Sequence, residues 1–277
     1  MICERLVLTH QHIHPGITLL GRGSVVNDKS LLGKIAIVTG AGGGIGVAYS
    51  RGLAEAGAKV ALADVNIAAA TTAADALAAD GFEAIAVQVD VSQEDSTRAM
   101  AKTVAERFGG IDILVNNAAL MAEVTPLGGL TTIPLDVWHR TIAVNLTGPL
   151  LCVRAVLPYL KEKGYGKIVN QSSGGAFLPS HHYGVSKLGL VSMTISLAHE
   201  LAPFGIRVNA IAPGSVLTDA GHRAGSDEYR AWIQATVPFP TAPPEDLVGG
   251  LIYLTSAASD WVTGHTLNID GGWITRT

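Results

Sequence analysis

A tyrosine and a lysine lie four residues apart in the segment Tyr183-Gly184-Val185-Ser186-Lys187. On a helix this spacing places both side chains on one face. A free tyrosine has a pKa near ~10, but a neighbouring ammonium favours the phenolate, as does a cationic nicotinamide ring. Tyr183 can then take the proton of an alcohol while a hydride leaves the carbon. The pair therefore predicts acid–base chemistry at an alcohol or ketone carbon.

Two serines, Ser172 and Ser173, follow the predicted strand Lys167–Asn170. They lie at its C-terminal end, which is the edge where open parallel sheets bind their ligands. A serine hydroxyl at that edge can donate a hydrogen bond to a substrate oxygen as charge develops on it. Ser173 is the preferred candidate for this role. Ser172 is the rival, and Ser180 is a third alternative.

A glycine-rich turn is predicted between the first strand and the first helix. Glycines allow a tight turn and let backbone N–H groups approach a pyrophosphate, and the helix N-terminus adds partial positive charge. The position between a strand and a helix therefore predicts a dinucleotide-binding loop. Its candidate residues are Gly40, Gly42, Gly43, Gly44, Ile45 and Gly46.

An acidic residue, Asp64, ends the second predicted strand and is followed by Val65 and Asn66. Its carboxylate can accept hydrogen bonds from both hydroxyls of an adenosine ribose, whereas a 2′-phosphate there would be repelled. The glycine-rich turn contains no lysine or arginine that would bind such a phosphate. The sequence therefore predicts NAD rather than NADP as the cofactor.

Short apolar runs alternate with helical segments from residue 34 onward. The predicted strands are Ile35–Thr39, Lys59–Ala63, Ala84–Val89, Ile113–Val115, Lys167–Asn170, Arg207–Ile211 and Thr266–Ile269. The predicted helices are Ile45–Ala56, an Ala-rich helix ending near Asp80, a helix capped by Ser92, a long helix over Pro134–Lys161, and Tyr183–Leu201. This alternation indicates an α/β fold, a single-domain Rossmann-type doubly wound parallel sheet with helices on both faces. Residues 31–277 are assigned to that domain, and residues 1–30 to an irregular N-terminal extension.

The composition limits the classes of function. With 277 residues, 48% of them hydrophobic and 15% charged, the chain can form one large domain with a buried core. A formal net charge of −4 without a lysine or arginine cluster argues against a nucleic-acid partner. Apolar runs too short to cross a bilayer, and the lack of a signal-peptide core, predict a cytoplasmic protein without a membrane partner. Neither the distant Cys3 and Cys152 nor the alternating His10, His12 and His14 predicts a metal site.

Taken in order, these motifs resemble those of the short-chain dehydrogenase/reductase family in its single-domain form. The resemblance extends from about residue 32 to the C-terminus. Two features depart from the family pattern: Ala119 replaces a usual glycine, and the segment from Ser173 to Tyr183 is shorter than usual. The matching motifs are Thr39-Gly40-x-x-x-Gly44-x-Gly46, Asp90-Val91, Asn116-Asn117-Ala118-Ala119, Asn145, Ser172-Ser173, Tyr183-x-x-x-Lys187, Pro213-Gly214 and Asp270-Gly271-Gly272.

The resemblance implies further cofactor contacts. Asp90 would bind the adenine amino group with Val91 packed nearby. The backbone of Val216 would bind the nicotinamide carboxamide, and Thr218 would help to hold the pyrophosphate. The other implied contacts, some of them beside the adenosine ribose and bracing the sheet, are Val65, Asn116, Asn117, Ala118, Tyr183, Lys187, Pro213 and Gly214.

The resemblance also implies a catalytic set of Ser173, Tyr183, Lys187 and Asn145, in which Asn145 holds a water that links Lys187 to solvent. The expected function is NAD-dependent interconversion of an alcohol and its ketone by a dimer or tetramer. Two alternatives stay open at this point. One is a 3-oxoacyl or other carbonyl reductase working in the opposite direction, and the other is a non-catalytic NAD-binding scaffold.

Apolar and aromatic residues are predicted to line the substrate pocket, which favours a hydrophobic or cyclic secondary alcohol or its ketone. The segment from Thr218 to Pro240 is expected to cover the substrate as a lid. His182 and His222 are candidates to orient a polar group. The principal pocket candidates are Met121, Phe177, Leu178, His182, Leu217 and Trp232, with Leu120, Phe239 and Trp273 beside them.

Overall fold

The computed structural model describes residues 29–121, 129–179, 181–218 and 227–274. Seven parallel strands form one sheet in the order β3-β2-β1-β4-β5-β6-β7, and the predicted fold class is confirmed. The N-terminal extension, with its three alternating histidines, lies outside the described residues except at its end. The strands are β1 (Ile35–Thr39), β2 (Lys59–Asp64), β3 (Ala84–Gln88), β4 (Ile113–Asn116), β5 (Gly166–Gln171), β6 (Ile206–Pro213) and β7 (Thr266–Ile269).

Helices cover both faces of this sheet. One apolar cluster joins one face of the sheet to three helices, and a second cluster joins the opposite face to three others. Strands buried on both faces are what a doubly wound parallel sheet requires. The helices are α1 (Gly44–Glu55), α2 (Ile67–Ala79), α3 (Glu94–Phe108), α4 (Leu135–Ile142), α5 (Gly148–Lys163), α6 (His182–Leu201), α7 (Asp227–Thr236) and α8 (Val248–Thr255).

The strand order reverses direction beside β1, because β2 pairs with one side of β1 and β4 pairs with the other. At such a switch point the connections leave in opposite directions and open a crevice at the carboxyl ends of the strands. Thr39, Asp64, Asn116 and Gln171 end the strands at this edge. The topology therefore brings the predicted cofactor loop and the predicted catalytic segment to the same side of the sheet.

Two element predictions differ from the structure. The helix predicted as continuous over Pro134–Lys161 is interrupted by a π-helix at Ala143–Thr147, because its backbone there bonds five residues apart. Ser92 does not cap α3. Its backbone N–H and hydroxyl both bond the carboxylate of Asp90, and the helix begins at Glu94 after an extended Gln93.

Two further helices, α7 and α8, were not predicted from the sequence. The first lies inside the segment interpreted as a lid. The second contains two glycines near its start, which weaken a helical pattern, but its residues Leu251, Ile252 and Leu254 are buried against the sheet. Tertiary burial outweighs the low intrinsic helix propensity of these glycines.

The helical stretch Leu135–Lys163 is long and apolar enough to cross a membrane by length and composition alone, with a mean hydropathy of 1.4. Half of its most apolar window is buried inside the fold. Its residues Cys152, Val153 and Val156 belong to the apolar cluster under the sheet. This packing accounts for its apolar character, as expected of a core helix.

Candidate active site

The predicted catalytic side chains come from three elements that meet at the carboxyl edge of the sheet. Ser173 follows β5 and begins a 3-10 turn at Gly174–Phe177. Tyr183 and Lys187 lie on the first turns of α6, and Asn145 lies in the π-helix. The structure therefore brings together residues that are up to 42 positions apart in the sequence.

Lys187 is held almost without solvent exposure, at 1%. Its ammonium Nζ donates a hydrogen bond to the backbone carbonyl of Gln171 over 2.7 Å and lies 5.6 Å from the ring centroid of Tyr183. Burial disfavours the charged form and lowers the pKa of Lys187 to about 7. Both protonation states of this amine are consequently populated near neutral pH.

The hydroxyl of Tyr183 is hydrogen-bonded to the side chain of Ser173. Burial raises the pKa of Tyr183 to about 12, and this hydrogen bond acts in the opposite direction. The sequence predicted that the neighbouring amine lowers the pKa of Tyr183, but in the chain itself that pKa is raised. The reason is that burial penalises the phenolate strongly and also removes charge from the amine.

The two serines differ in what they contact. Ser172 is buried, and its hydroxyl donates to the backbone carbonyl of Lys187 over 3.0 Å, which ties α6 to β5. Ser173 accepts from the N–H of Gly175 over 3.1 Å and pairs with Tyr183. The geometry thus favours Ser173 over Ser172 as the hydroxyl that faces substrate. The third alternative, Ser180, lies outside the described residues.

Asn145 is completely buried and bonded to the chain through both ends of its amide. Its Oδ1 accepts from the N–H of Leu120 over 2.8 Å, and its Nδ2 donates to the carbonyl of Leu120 over 3.0 Å. The same Nδ2 lies 3.2 Å from the hydroxyl of Ser186. Asn145 therefore fixes the segment after β4 against α6, between the two predicted binding regions.

The glycine-rich turn fits a pyrophosphate. Gly43 precedes α1 with an extended backbone, no side chain caps the helix, and its first turn has no acidic residue. A Cβ added to Gly43 would meet nothing within 4 Å, whereas one added to Gly46 would lie 2.2 Å from the carbonyl oxygen of Gly40. Open space and partial positive charge at the helix N-terminus suit an anion, while Gly46 allows close packing beneath it. Gly44 adopts a positive φ of 53°.

Asp64 is fixed beside this turn. Its Oδ2 accepts from the N–H of Gly42 over 2.8 Å, and its Oδ1 accepts from the N–H of Asn66 over 2.9 Å. Each carboxylate oxygen keeps a further lone pair for a ligand hydroxyl. The neighbouring Val65 is 66% exposed and leaves this side of the site open.

The remaining predicted cofactor residues brace the same edge. Asn117 donates through its side chain to the carbonyls of Thr39 and Gly40, over 2.9 and 3.0 Å. Asn116 is buried and donates to Asn170 over 2.9 Å, so it links β4 to β5 rather than facing solvent. The backbone N–H of Ala118 bonds the hydroxyl of Thr39 over 3.1 Å. These contacts hold the floor of the crevice.

Asp90 and Val91 follow the end of β3, and Val216 and Thr218 follow the end of β6. Val91 packs against Gly148 at the start of α5, where a Cβ would lie 2.9 Å from its methyl Cγ2. Val216 pairs with Ala242 in a parallel bridge, which fixes the loop that follows Pro213 and Gly214. Thr218 approaches the glycine-rich turn, since its methyl would lie 3.5 Å from a Cβ on Gly44.

Comparisons with known proteins agree with this geometry. A family model described as enoyl-(acyl carrier protein) reductase matches residues 40–274. An uncharacterized oxidoreductase of Mycobacterium tuberculosis is 46% identical over 245 residues, covering 88% of this chain and 98% of that protein. Galactitol 2-dehydrogenase of Agrobacterium fabrum is 39% identical over 258 residues, covering 86% and 96%. The crystal structure of a gluconate 5-dehydrogenase from Burkholderia cenocepacia J2315 with NADP and tartrate gives a TM-score of 0.83 at 34% identity, covering 88% and 97%.

The chain belongs to the short-chain dehydrogenase/reductase family. The family resemblance seen in the sequence is therefore confirmed. This dehydrogenase/reductase is an oxidoreductase that acts on alcohols and binds a nicotinamide cofactor.

The predicted substrate-pocket residues of this dehydrogenase/reductase divide into two groups. His182 is buried beside Tyr183, and Phe177 and Leu178 are half-buried on the turn after Ser173. Met121 is half-buried as well and ends a described segment. The other group is exposed: Leu217 at 48%, Trp232 at 46% and Phe239 at 78%.

Trp232 stacks on Tyr229 of the same helix, with ring centroids 6.1 Å apart. His222, the other histidine considered for the pocket, lies outside the described residues. Among the described residues, no group of three or more histidine, cysteine, aspartate and glutamate side chains forms a metal site.

Sequence reasoning missed one residue and one contact at the candidate catalytic segment. Gln171 supplies the carbonyl that Lys187 binds, and its side-chain oxygen accepts from the buried Tyr49 hydroxyl over 2.9 Å. This contact ties α1 to the end of β5. The available signal was a glutamine that ends the strand directly before the serine pair. The missed contact is that of Trp273, predicted only as a pocket residue, with Gly174.

Proposed function

We propose that this protein is an NAD-dependent dehydrogenase that interconverts a hydrophobic or cyclic secondary alcohol and its ketone, with Tyr183 as the acid and base. The single observation that carries the proposal is the hydrogen bond between Tyr183 and Ser173 next to the buried amine of Lys187. A scaffold protein would gain nothing from burying an amine without a carboxylate partner, because that burial costs stability.

The residues of the chain divide the proton transfer among them. A bound nicotinamide would supply the hydride acceptor for oxidation of the carbinol carbon and the hydride donor for reduction of the ketone. Tyr183 takes the alcohol proton during oxidation, and Ser173 donates a hydrogen bond to the same substrate oxygen. Lys187, with a pKa of about 7, passes the proton onward. The water relay expected at Asn145 is not part of this mechanism, because both ends of its buried amide bond groups of the chain.

The cofactor assignment depends on Asp64. Its fixed carboxylate faces the outer end of the glycine-rich turn and suits two ribose hydroxyls better than a phosphate. The gluconate 5-dehydrogenase structure contains NADP, so cofactor choice varies among similar chains. We extend the proposal to the contacts of Asp90, Val91, Asn117, Val216 and Thr218 with the cofactor.

The substrate class is supported by the half-buried Phe177 and Leu178 beside the catalytic turn. The similarity to galactitol 2-dehydrogenase favours a second candidate, a linear sugar alcohol. Cytoplasmic location and a dimeric or tetrameric state stay predictions.

The test of catalysis uses the purified chain, NAD and a panel of cyclic alcohols and sugar alcohols. Tyr183→Phe is expected to abolish NADH formation while NADH fluorescence shows that cofactor binding is kept. Tyr253→Phe, at a tyrosine 41% exposed on α8, is the matched control and should behave as the unmodified chain. Normal turnover by Tyr183→Phe would remove Tyr183 from the mechanism.

The test of the cofactor compares NAD with NADP. Asp64→Ala should weaken NAD binding by roughly tenfold or more, since charge-assisted hydrogen bonds are lost, and should relax discrimination against NADP. Asp64→Asn keeps one acceptor oxygen but turns an NH2 group toward one of the two backbone N–H groups that the carboxylate binds, so it should weaken NAD binding as well. A preference of the unmodified chain for NADP would overturn the NAD assignment.

A further inference from the structure

The C-terminal turn of the chain contacts the catalytic segment through one aromatic side chain. A Cβ added to Gly174 would lie 2.6 Å from both Cε3 and Cζ3 of Trp273. Real Cβ atoms do not approach other atoms so closely, so the ring fits there only because residue 174 is glycine. The indole thus occupies the space directly behind the residue that follows Ser173.

The position of this ring is fixed by its own turn. The carboxylate of Asp270 accepts from the N–H of Gly272 over 3.0 Å and from the N–H of Ile274 over 2.9 Å. Asn268 donates to the carbonyl of Ile274 over 3.1 Å, and the N–H of Phe239 donates to the carbonyl of Gly271. Trp273 is therefore held between two bonded residues and cannot swing away from Gly174 without breaking the turn.

The 3-10 turn under the indole is what orients Ser173. The N–H of Gly175 donates to the Ser173 hydroxyl over 3.1 Å, and the N–H of Ala176 donates to its carbonyl over 3.1 Å. Two of the first three residues of this turn are glycines, so the turn has little intrinsic rigidity. Packing by the indole supplies rigidity that the glycines lack.

The indole N–H of Trp273 is buried and has no hydrogen-bond partner in the part of the chain that the structure describes. Leaving such a donor unpaired costs stability. The ring is therefore placed by the shape of the turn and not by a hydrogen bond. A position that sacrifices stability in a well-packed region is typical of a functional site.

We propose that Trp273 is a positioning residue for catalysis, which clamps the Gly174–Phe177 turn so that the Ser173 hydroxyl faces Tyr183 and the substrate oxygen. This inference rests on the proposed function. It adds that the C-terminal turn, far from the Tyr-Lys pair in sequence, sets the geometry of the catalytic serine. The contact depends on both residues, because the indole of Trp273 fits only against a glycine at position 174.

The experiment is a double-mutant cycle with Gly174→Ala, Trp273→Leu and the combined variant, assayed on the alcohol that the panel identifies. Gly174→Ala should lower kcat about 10- to 100-fold, because the added Cβ displaces the ring and the turn. Trp273→Leu should lower kcat roughly tenfold, with NAD binding unchanged. The combined variant should resemble Trp273→Leu, because leucine leaves space for the added methyl.

Two readouts separate positioning from a general packing role. The apparent pKa of kcat should rise in Trp273→Leu, since the Ser173 hydrogen bond that favours the phenolate is weakened. The change should be partly restored in Trp273→Phe, which keeps an aromatic ring. Trp261→Leu, at a tryptophan 99% exposed in this chain, is the matched control and should change neither kcat nor its pH profile.

Multiplicative effects of the two single variants, or a Trp273→Leu variant with unchanged kcat and pH profile, would overturn the proposal. A Trp273→Leu variant that loses thermal stability without a change of kcat per folded molecule would also overturn it. These results are distinct from failure of the proposed function, which would appear as turnover by Tyr183→Phe whatever happens at Trp273.

Discussion

Two buried lysines, Lys187 and Lys167, lie near opposite edges of the sheet, and only one of them has a carboxylate beside it among the described residues. Lys187, on α6 at the carboxyl edge of the sheet, is 1% exposed and donates to a backbone carbonyl. Lys167, near the start of β5, is completely buried and lies 2.9 Å from the carboxylate of Asp260 and 3.0 Å from the hydroxyl of Ser259. Tyr165 also donates to Asp260 over 3.0 Å.

The carboxylate decides what each amine can do. Burial lowers the pKa of Lys167, but its hydrogen bond and ion pair with Asp260 act in the opposite direction and favour the charged form. Burial lowers the pKa of Lys187 to about 7, and no carboxylate forms an ion pair with it among the described residues. An amine that is paired serves structure, whereas an unpaired amine in a cleft can exchange a proton near neutral pH.

The largest expected effect is on turnover. Lys187→Met should lower kcat about 10²- to 10⁴-fold, because a positioned proton-transfer group contributes rate enhancements of this size. Lys167→Met should leave kcat within about twofold, since Asp260 and Ser259 lie at the other end of the sheet. Steady-state kinetics of both variants on one alcohol measures the contrast. Equal losses of kcat in the two variants would show that the carboxylate partner does not distinguish a catalytic lysine from a structural one.

The second effect is on stability and has a definite sign. The folded pKa of Lys187 is about 7 and the unfolded one is near ~10.4, so the unfolded chain binds more protons between these values. The cost of burying this amine is therefore complete below pH 7 and disappears as the pH rises through that window. Lys187→Met lacks the cost, so its free energy of unfolding should exceed that of the unmodified chain most at pH 6 to 7.

The difference should shrink by on the order of 1 kcal/mol per pH unit between pH 7 and 9. Chemical denaturation of both chains at pH 6, 7, 8 and 9 measures it, and Lys167→Met serves as the comparison variant. A constant difference across this range would mean that Lys187 does not lose its proton in the folded chain.

The sequence predicted the role of Lys187 in this contrast but not the pairing of Lys167. Tyr183 and Lys187 were found because four-residue spacing on a helix is a local property. The strands were found because fully buried parallel strands appear as short apolar runs between glycines and helical segments. What the spacing could not show is the dielectric environment, and the tyrosine pKa is raised although a lowering was expected.

The contacts missed from sequence are those between distant segments. The indole of Trp273 meets Gly174 across 99 positions, and the Tyr49 hydroxyl meets Gln171 across 122. No local period marks such pairs, because they depend on the register of β5 and on the path of the C-terminal turn. The π-helix that contains Asn145 was not predicted either, because helical periodicity does not distinguish one wide turn from regular turns.

A smaller effect is expected at the structural amine. Lys167→Met should lower the free energy of unfolding by roughly 1–3 kcal/mol at pH 7, less than the loss of a fully buried pair, because the Asp260 side chain is 42% exposed. Methionine fills about the same volume as the buried lysine side chain, so the substitution leaves little empty space. Chemical denaturation measures the loss, provided that the slope of the unfolding free energy against denaturant concentration is the same in both chains. Lys59→Met, at a lysine 34% exposed, is the control. An unchanged free energy of unfolding would mean that solvent replaces the partner of Asp260 without cost.

The smallest effect is the coupling between Lys167 and Asp260. Asp260→Asn should destabilise the chain because it leaves the buried Lys167 ammonium without a carboxylate, in contact with the Ser259 hydroxyl and the Tyr165 ring. The combined Lys167→Met and Asp260→Asn variant should be less destabilised than the sum of the single variants, by about 1 kcal/mol. The same cycle with Lys187→Met in place of Lys167→Met should show no coupling, because Asp260 forms its described ion pairs with Lys167 and Arg207. Coupling of Asp260 to Lys187 instead would mean that the unpaired state of the catalytic amine depends on the far end of the sheet, and the two lysines would then belong to one network.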